Sequence, residues 1–119
     1  MALSNREFWF LDPSNDAQPA NSVSQEFNDG MYTLFCQSSH AWLVLSGDQT
    51  PEMMAKLCGV DLSSNAFNVG DVAQTQMALI NCIVARHELD GSDVFSLLLD
   101  QSYAEYALEA LLDARLEYL

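Results

Sequence analysis

The sequence has very few positive charges. Four Lys and Arg residues stand against 17 Asp and Glu residues, which gives a formal net charge of −13 at pH 7. Such a chain repels the phosphates of nucleic acids and the anionic headgroups of membranes, so we expect neither as a partner. The same charge steers a protein toward basic partners, and it is equally typical of an acidic proteome. Because the carboxylates are scattered rather than set in dense rows, imitation of DNA is not expected.

Long apolar runs are also missing. No stretch approaches the roughly 18–20 apolar residues of a membrane span. The N-terminus, MALSNREFWF, has no apolar run that ends in a small-residue cleavage site, so we expect a cytoplasmic protein. Half of the residues are nevertheless apolar, which is enough to bury a core. The length of 119 residues predicts a single domain over 1–119.

Cysteine motifs are absent. Cys36, Cys58 and Cys82 lie far apart, with no C-x-x-C pair and no Cys/His cluster at zinc spacing. Each has apolar neighbours, where a free cysteine behaves as a small buried side chain. We therefore expect three structural thiols and no metal site.

Catalytic motifs are absent as well. The five glycines are isolated and form no phosphate-binding loop, and no H-E-x-x-H motif occurs. His87 is expected to be a sheet-surface side chain beside Glu88. His40 follows Ser38 and Ser39, but neighbours in a turn rarely bring a hydroxyl and an imidazole into mutual reach. Because a nucleophile needs a base and the base an orienting group, we predict no catalytic residue and no metal ligand in the chain.

The first half of the chain is rich in β-type patterns. Apolar and aromatic runs predict strands over Glu7–Leu11, Met31–Cys36 and Ala41–Ser46. In the third run Trp42 and Val44 fall on one face, and the intervening apolar residues fall on the other. The polar residues 12–30 fit either a loop or a short helix.

The second half carries clearer signals. Thr50 followed by proline predicts a helix start, and the helix should reach Cys58. Val72–Leu89 fits either a buried helix or strands. The Asp90-Gly91 pair between this run and Val94–Leu99 is a strong hairpin signal, so we expect strands.

The last helix is predicted over Ser102–Tyr118, where apolar residues recur with a period near 3.6. Ser102 and Glu105 have the spacing of a capping box. Glu105, Glu109 and Asp113 form an acidic stripe along one side. Together these elements predict an α+β fold with an open, mainly antiparallel sheet and helices packed on one face.

Phe8, Trp9 and Phe10 form an aromatic cluster near the N-terminus. Aromatic residues fill the cores of small domains, and they also dominate protein interfaces. In a strand two of these side chains point to opposite faces, so at least one needs cover. We therefore assign the three residues to a possible interface with a partner or with a second copy of the chain.

The second half also resembles a known family, the gamma subunit of heterotetrameric sarcosine oxidase. Five short segments match that family's landmarks in the right order. They are Ser38–Gly47 (family S-H-x-x-x-x-x-L-S-G), Lys56–Leu62 (K-G-C-P-x-D-L), Phe67 with Gly70 (F-x-x-G), Ala73–Thr75 (A-Q-T) and Ser102–Ala104 (S-[FY]-A).

The resemblance implies a fold and a role. The family shares a ferredoxin-like α+β unit with one domain of aminomethyltransferase and related folate proteins. In the sarcosine oxidase complex a flavin in the beta subunit carries out demethylation, and the alpha subunit delivers the methylene unit to tetrahydrofolate. The gamma subunit is an accessory that packs on these larger subunits. The expected cofactors, flavin and tetrahydrofolate, thus belong to partner subunits and none to this chain.

The chain departs from the family pattern at several points. Residues 31–119 form the gamma-like core, whereas residues 1–30 match poorly. Gln76 stands where the family has arginine, and Leu57 replaces a glycine. The glycine-rich motifs of folate-using relatives are missing. Two alternatives remain open, a stand-alone or homodimeric folate-binding protein of one-carbon metabolism and an acidic interaction module.

Overall fold

The computed structural model describes residues 1–4, 6–9, 11 and 39–118. The strands within these residues are β1 His40–Ser46, β2 Val72–Met77, β3 Ile80–Leu89 and β4 Ser92–Asp100. The α-helices are α1 Thr50–Met54 and α2 Ala104–Arg115, and short 3-10 turns flank α2 at Gln101–Tyr103 and Leu116–Tyr118. The predicted strand over Met31–Cys36 and the segment 12–30 lie outside the described residues.

The four strands form one sheet in the order β1-β4-β3-β2, and every neighbouring pair is antiparallel. Both helices pack on the same side of this sheet, where their buried residues join one apolar core. The predicted α+β class, with a mainly antiparallel sheet and helices on one face, is confirmed. The arrangement is consistent with a ferredoxin-like fold.

Two tight hairpins connect the last three strands. Asp90 and Gly91 have φ values of +51° and +79°, as a two-residue type I′ turn requires, so the hairpin predicted there is confirmed. The strands expected over Val72–Leu89 are confirmed too, but this run contains a second turn of the same kind. Its residues are Ala78 and Leu79, which lack turn propensity and gave no sequence signal.

Strand β4 is buried on both sides. Each of its residues Val94–Leu99 has at most 5% of its surface exposed. Phe95, Leu97 and Leu99 point to the helices, on what we call the core face. The alternate residues point to the opposite, second face. A strand of this kind needs cover on both faces, which the helices alone do not provide.

The core face is a dense apolar layer. Side chains of Met54, Met77 and Leu97 are fully buried at its centre, and α2 adds Ala107 and Leu111. The alternation expected in β1 is confirmed, since its residues 41, 43 and 45 contact this core.

Two cysteines belong to the same layer. Cys58 and Cys82 are free and buried, as predicted. Burial, with a smaller contribution from Cys58, raises the pKa of the Cys82 thiol to about 11. The thiol is therefore protonated and unreactive at neutral pH. Cys36 lies outside the described residues.

The N-terminus folds back on itself. The strand predicted over Glu7–Leu11 is wrong for the described residues, where the structure has only an isolated bridge between Ala2 and Phe8. The Trp9 ring meets His40 of β1 edge-on, with 4.9 Å between ring centroids. On the other side, the Gln74 amide of β2 donates a 3.4 Å hydrogen bond to the carbonyl of Leu3. The segment thus reaches both edge strands and contributes cover to the second face.

The helix ends differ from expectation. Helix α1 ends at Met54, earlier than predicted, because Cys58 bridges to Met77 of β2.

The capping box predicted at the start of α2 is wrong. The hydroxyl and the amide of Ser102 donate to the Asp100 carboxylate instead, at 2.6 and 2.9 Å, because a 3-10 turn precedes α2. These bonds lower the pKa of Asp100.

One arginine ties together three parts of the core face. The Arg86 guanidinium donates to both carboxylate oxygens of Asp93 across the β3–β4 hairpin, at 2.5 to 3.1 Å. Its Nη1 donates to the carbonyl of Phe67 at 2.7 Å, which fixes the loop before β2. The guanidinium also lies 5.5 Å from the centroid of the Phe95 ring.

This ion pair predicts an acid-sensitive contribution to stability. The Arg86 hydrogen bonds hold the pKa of Asp93 below its usual value of 3.8. The contribution is therefore complete above the unfolded pKa of about 3.9 and disappears as pH falls through the lower folded pKa. Urea unfolding from pH 7 to 2 should show a stability deficit for Asp93→Asn that vanishes at the acid end. A deficit that does not change with pH would contradict this assignment.

Candidate functional site

A buried hydroxyl lies at the centre of the second face. Ser96 of β4 is completely buried, and its Oγ lies 2.5 Å from Nε2 of His87 on β3. The indole Nε1 of Trp42 on β1 donates to the same Oγ at 2.8 Å. Both neighbours sit diagonally across the ladder from Ser96, where long side chains meet. We call these three residues the Trp42–Ser96–His87 cluster.

Each polar group of the cluster has a consistent hydrogen-bonding role. The indole only donates, so Ser96 accepts from Trp42, and the same hydroxyl is hydrogen-bonded to Nε2 of His87. The Glu88 carbonyl only accepts, so Nδ1 of His87 donates to it at 3.2 Å. The cluster therefore joins three strands through one hydroxyl.

The chemistry of this cluster is limited by burial. A serine hydroxyl beside an imidazole is the start of a nucleophilic site, but the nucleophile must meet a substrate. Ser96 has no exposed surface, and Nδ1 of His87 faces a backbone carbonyl rather than a carboxylate. The geometry suits a structural polar network that anchors the second face. Its sequence signal was the lone serine inside the apolar run Val94–Leu99, since a buried hydroxyl requires a partner.

His40 lies at the start of β1. Its Nδ1 is 2.8 Å from the hydroxyl of Ser39, so the expectation that these neighbours stay out of reach is wrong. The side chains of His40, the first residue of β1, and Ser39, the turn residue before it, are directed toward each other. Because Trp9 covers the imidazole ring edge-on, His40 joins the N-terminal segment to the sheet.

The predicted aromatic interface is only partly described. Phe8 is 51% exposed. Trp9 is half-buried against His40, and its Nε1 donates to Glu7 at 3.0 Å. Phe10 lies outside the described residues. Among the described residues, Phe8 therefore presents an open aromatic surface, and Trp9 packs inward.

A concavity of about 1140 Å³ opens at the end of the sheet where β2 turns into β3. Its polar lining includes His40 and Asp100 together with the amide side chains of Gln74, Gln76 and Asn81. Leu79 and Tyr103 stand at its apolar side. The described lining includes no lysine or arginine.

A second exposed feature is a row of leucines on the last helix. Leu108, Leu112 and Leu116 are 46%, 48% and 64% exposed and follow an i, i+4, i+8 spacing. This leucine stripe adjoins the buried side of α2, and the predicted acidic stripe of Glu105, Glu109 and Asp113 is exposed beside it. The apolar periodicity predicted the helix, but periodicity alone does not separate a buried row of leucines from an exposed row beside it.

Within the described ranges, no group of three or more His, Cys, Asp or Glu side chains is placed to hold a metal ion. In the same part of the chain, no helix is both long and apolar enough to cross a membrane.

The Trp42–Ser96–His87 cluster predicts a specific stability loss. Ser96→Ala leaves the Trp42 N–H and the His87 Nε2 without their partner, which should cost about 1–3 kcal/mol of unfolding free energy. Ser92→Ala, at the exposed start of the same strand, is the matched control and should change it by less than about 0.5 kcal/mol. Equal losses in urea denaturation would argue against the network.

Comparison with known proteins gives a family and a fold. The sequence matches the sarcosine oxidase, gamma subunit family over residues 15–117. In structure it is similar to a chain of the heterotetrameric sarcosine oxidase from Corynebacterium sp. U-96 in complex with pyrrole 2-carboxylate, with a TM-score of 0.72 and 22% identity. The match covers 85% of this chain and 52% of that one, so this chain spans about half its length. No curated protein matches the sequence.

The two findings confirm the resemblance to this family that the sequence indicated. The structural likeness supports the fold, and the family match extends from residue 15 to residue 117. The chain belongs to the sarcosine oxidase gamma subunit family.

Proposed function

We propose that this chain is a non-catalytic accessory subunit of a heteromeric complex of the sarcosine oxidase type. It packs on larger subunits that hold the flavin and the tetrahydrofolate. Family membership supports a place in such an oxidoreductase complex. The observation that carries the packing role is the leucine stripe of α2, an apolar surface without cover in the described part of the chain.

The energetics of the leucine stripe favour association. Complete burial of a leucine is worth about 1.5–3 kcal/mol, so covering the exposed half of each side chain contributes about 1 kcal/mol. The three residues share one side of α2 and of the 3-10 turn that continues it, so a partner groove can contact them together. Little side-chain ordering is needed, because the same helix is already fixed by Ala107, Leu111 and Ala114 in the core.

The acidic stripe specifies the charge of the partner surface. Glu105, Glu109 and Asp113 border the leucines, and the whole chain carries a net charge of −13. A basic rim around an apolar groove complements this arrangement and accelerates encounter at low salt. A second copy of this acidic chain fits the stripe less well, because like charges would face each other.

The buried chemistry agrees with an accessory role. The serine–histidine pair of the second face is closed to substrate, and the Cys82 thiol is protonated and buried. These groups strengthen the fold. In the complex, flavin oxidation and folate chemistry would thus take place on the larger subunits.

A charge placed in the leucine stripe tests the proposal. Leu112→Glu should reduce recovery of the chain with tagged, co-expressed flavoprotein subunits by about tenfold or more, because a carboxylate would be buried against the partner. Flavin absorbance and mass spectrometry identify the partner. The unfolding free energy of the free chain should fall by less than about 1 kcal/mol, since Leu112 is half-exposed.

Val69→Glu is the matched control, because Val69 is similarly exposed at 52% but lies in the loop before β2. It should leave recovery unchanged. Recovery of the unmodified chain as a free monomer, with no flavoprotein attached, contradicts the proposed function. Normal recovery of Leu112→Glu excludes the leucine stripe from the interface.

The concavity favours a second candidate function, a stand-alone folate-binding protein. Its amides and the Asp100 carboxylate offer donors and acceptors of the kind that a pterin ring uses. Calorimetric titration of the isolated chain with tetrahydrofolate distinguishes the two functions. The accessory-subunit proposal expects no heat of binding, and saturable heat that Gln74→Ala removes would favour the folate-binding protein.

A further inference from the structure

The β2–β3 turn has an unexpected composition. Ala78 and Leu79 occupy φ values of +50° and +71°, which are unfavourable for residues with a side chain. The β3–β4 turn has almost the same backbone conformation, but it uses Asp90 and Gly91, the residues that such turns prefer. The chain therefore places a branched apolar residue where a glycine or asparagine would be more stable.

Contacts from other elements hold this turn in place. The amide of Ala78 donates to the carbonyl of Leu57 at 2.8 Å, and the hydroxyl of Tyr106 on α2 donates to the carbonyl of Ala78 at 3.0 Å. Both backbone groups of Ala78 are thus fixed from outside the hairpin. Strain that the surroundings maintain in this way is a common mark of a functional position.

The strained conformation does not bury the Leu79 side chain within the chain. It is 90% exposed, more than any other large apolar residue that the structure describes. Tyr103 and Tyr106 are each 50% exposed, one beside the same concavity and the other bonded to the turn. Tyrosine is among the residues enriched at interface hot spots, so these two side chains make the surroundings of the exposed leucine suitable for a protein contact.

The surroundings of Leu79 are anionic. Asp100 lines the same concavity, and the Ser102 hydrogen bonds lower the pKa of its carboxyl, so it stays ionised at neutral pH. Glu105 is exposed beside Tyr106 in the sequence. The described lining of the concavity includes no lysine or arginine.

We propose that Leu79 is an anchor residue for protein docking, and that it inserts into an apolar pocket of a partner whose rim carries arginine or lysine side chains. This inference rests on the proposed function, because the partner is a larger subunit of the complex. The preformed turn presents the leucine without ordering cost on binding.

Leu79→Gly tests this directly, because it relieves the strained backbone and removes the anchor. The affinity of the full chain for the purified flavoprotein subunits should weaken at least about tenfold. The urea midpoint of the free chain should stay the same or rise. Leu79→Asn, in which asparagine also tolerates positive φ, should weaken the affinity to the same extent. Leu79→Met, which keeps a large apolar side chain, should retain most of the affinity of the unmodified chain.

Val69→Ser is the control, since it removes an exposed apolar side chain at the opposite end of the β2–β3 pair. It should leave affinity unchanged. Raising NaCl from about 50 to about 300 mM should weaken binding of the unmodified chain, because the pocket rim is basic. An affinity that does not respond to salt overturns the basic rim.

The outcomes separate the two proposals. Full affinity of Leu79→Gly and Leu79→Asn, while the unmodified chain binds, overturns the anchor and leaves the proposed function intact. If the unmodified chain does not bind the flavoprotein subunits, the proposed function is wrong and the anchor is overturned with it. Dimers of the free chain that Leu79→Gly dissociates would show a second copy as the occupant and would also overturn the proposal.

Discussion

The burial of β4 on both faces is the constraint that organises this molecule. Consecutive side chains of β4 are buried, and these are apolar except for the hydrogen-bonded Ser96. Such a strand lies in the interior of the sheet, here between β1 and β3. Both of its faces also need a covering layer. The two helices provide that layer on the core face. On the second face, the N-terminal segment contributes cover and reaches both edge strands.

The few polar groups inside the fold are used to join elements. Ser96 links three strands through Trp42 and His87, and every buried side-chain polar atom in the described part of the chain has a partner. Arg86 is one of only four cationic side chains, and it connects the hairpin to the loop before β2. Lys56 contributes a similar link by pairing with Glu117 beyond α2. Positive charge is thus scarce, and two of the four cationic side chains are engaged in ion pairs within the chain.

Local signals in the sequence were sufficient for the α+β class and for much of the sheet. Asp90-Gly91 fixed one hairpin because its turn chemistry is intrinsic, and the leucine periodicity located α2. The Ala78-Leu79 turn was not predictable, because Leu57 and Tyr106 impose its conformation from distant parts of the chain. The Ser102–Glu105 capping box failed for a related reason, since a preceding 3-10 turn moved the acceptor to Asp100.

The candidate site was less accessible to sequence reasoning than the fold. The pairing of Ser96 with His87 depends on strand register, which places residues nine apart on diagonal positions. Similarly, which leucines of α2 face the sheet depends on how the helix is rotated against it. Composition and spacing predicted an exposed apolar surface in general terms, and tertiary packing decided where it lies.

The distribution of the tryptophans has a practical consequence. The chain has two on the second face: Trp9 contacts His40, and Trp42 is joined to His87 through the Ser96 hydroxyl. The intrinsic indole fluorescence of the protein therefore reports on this face alone. With a partner that contains no tryptophan, a spectral shift on mixing would therefore locate the contact on this face, and contact on the helix side would leave the emission unchanged.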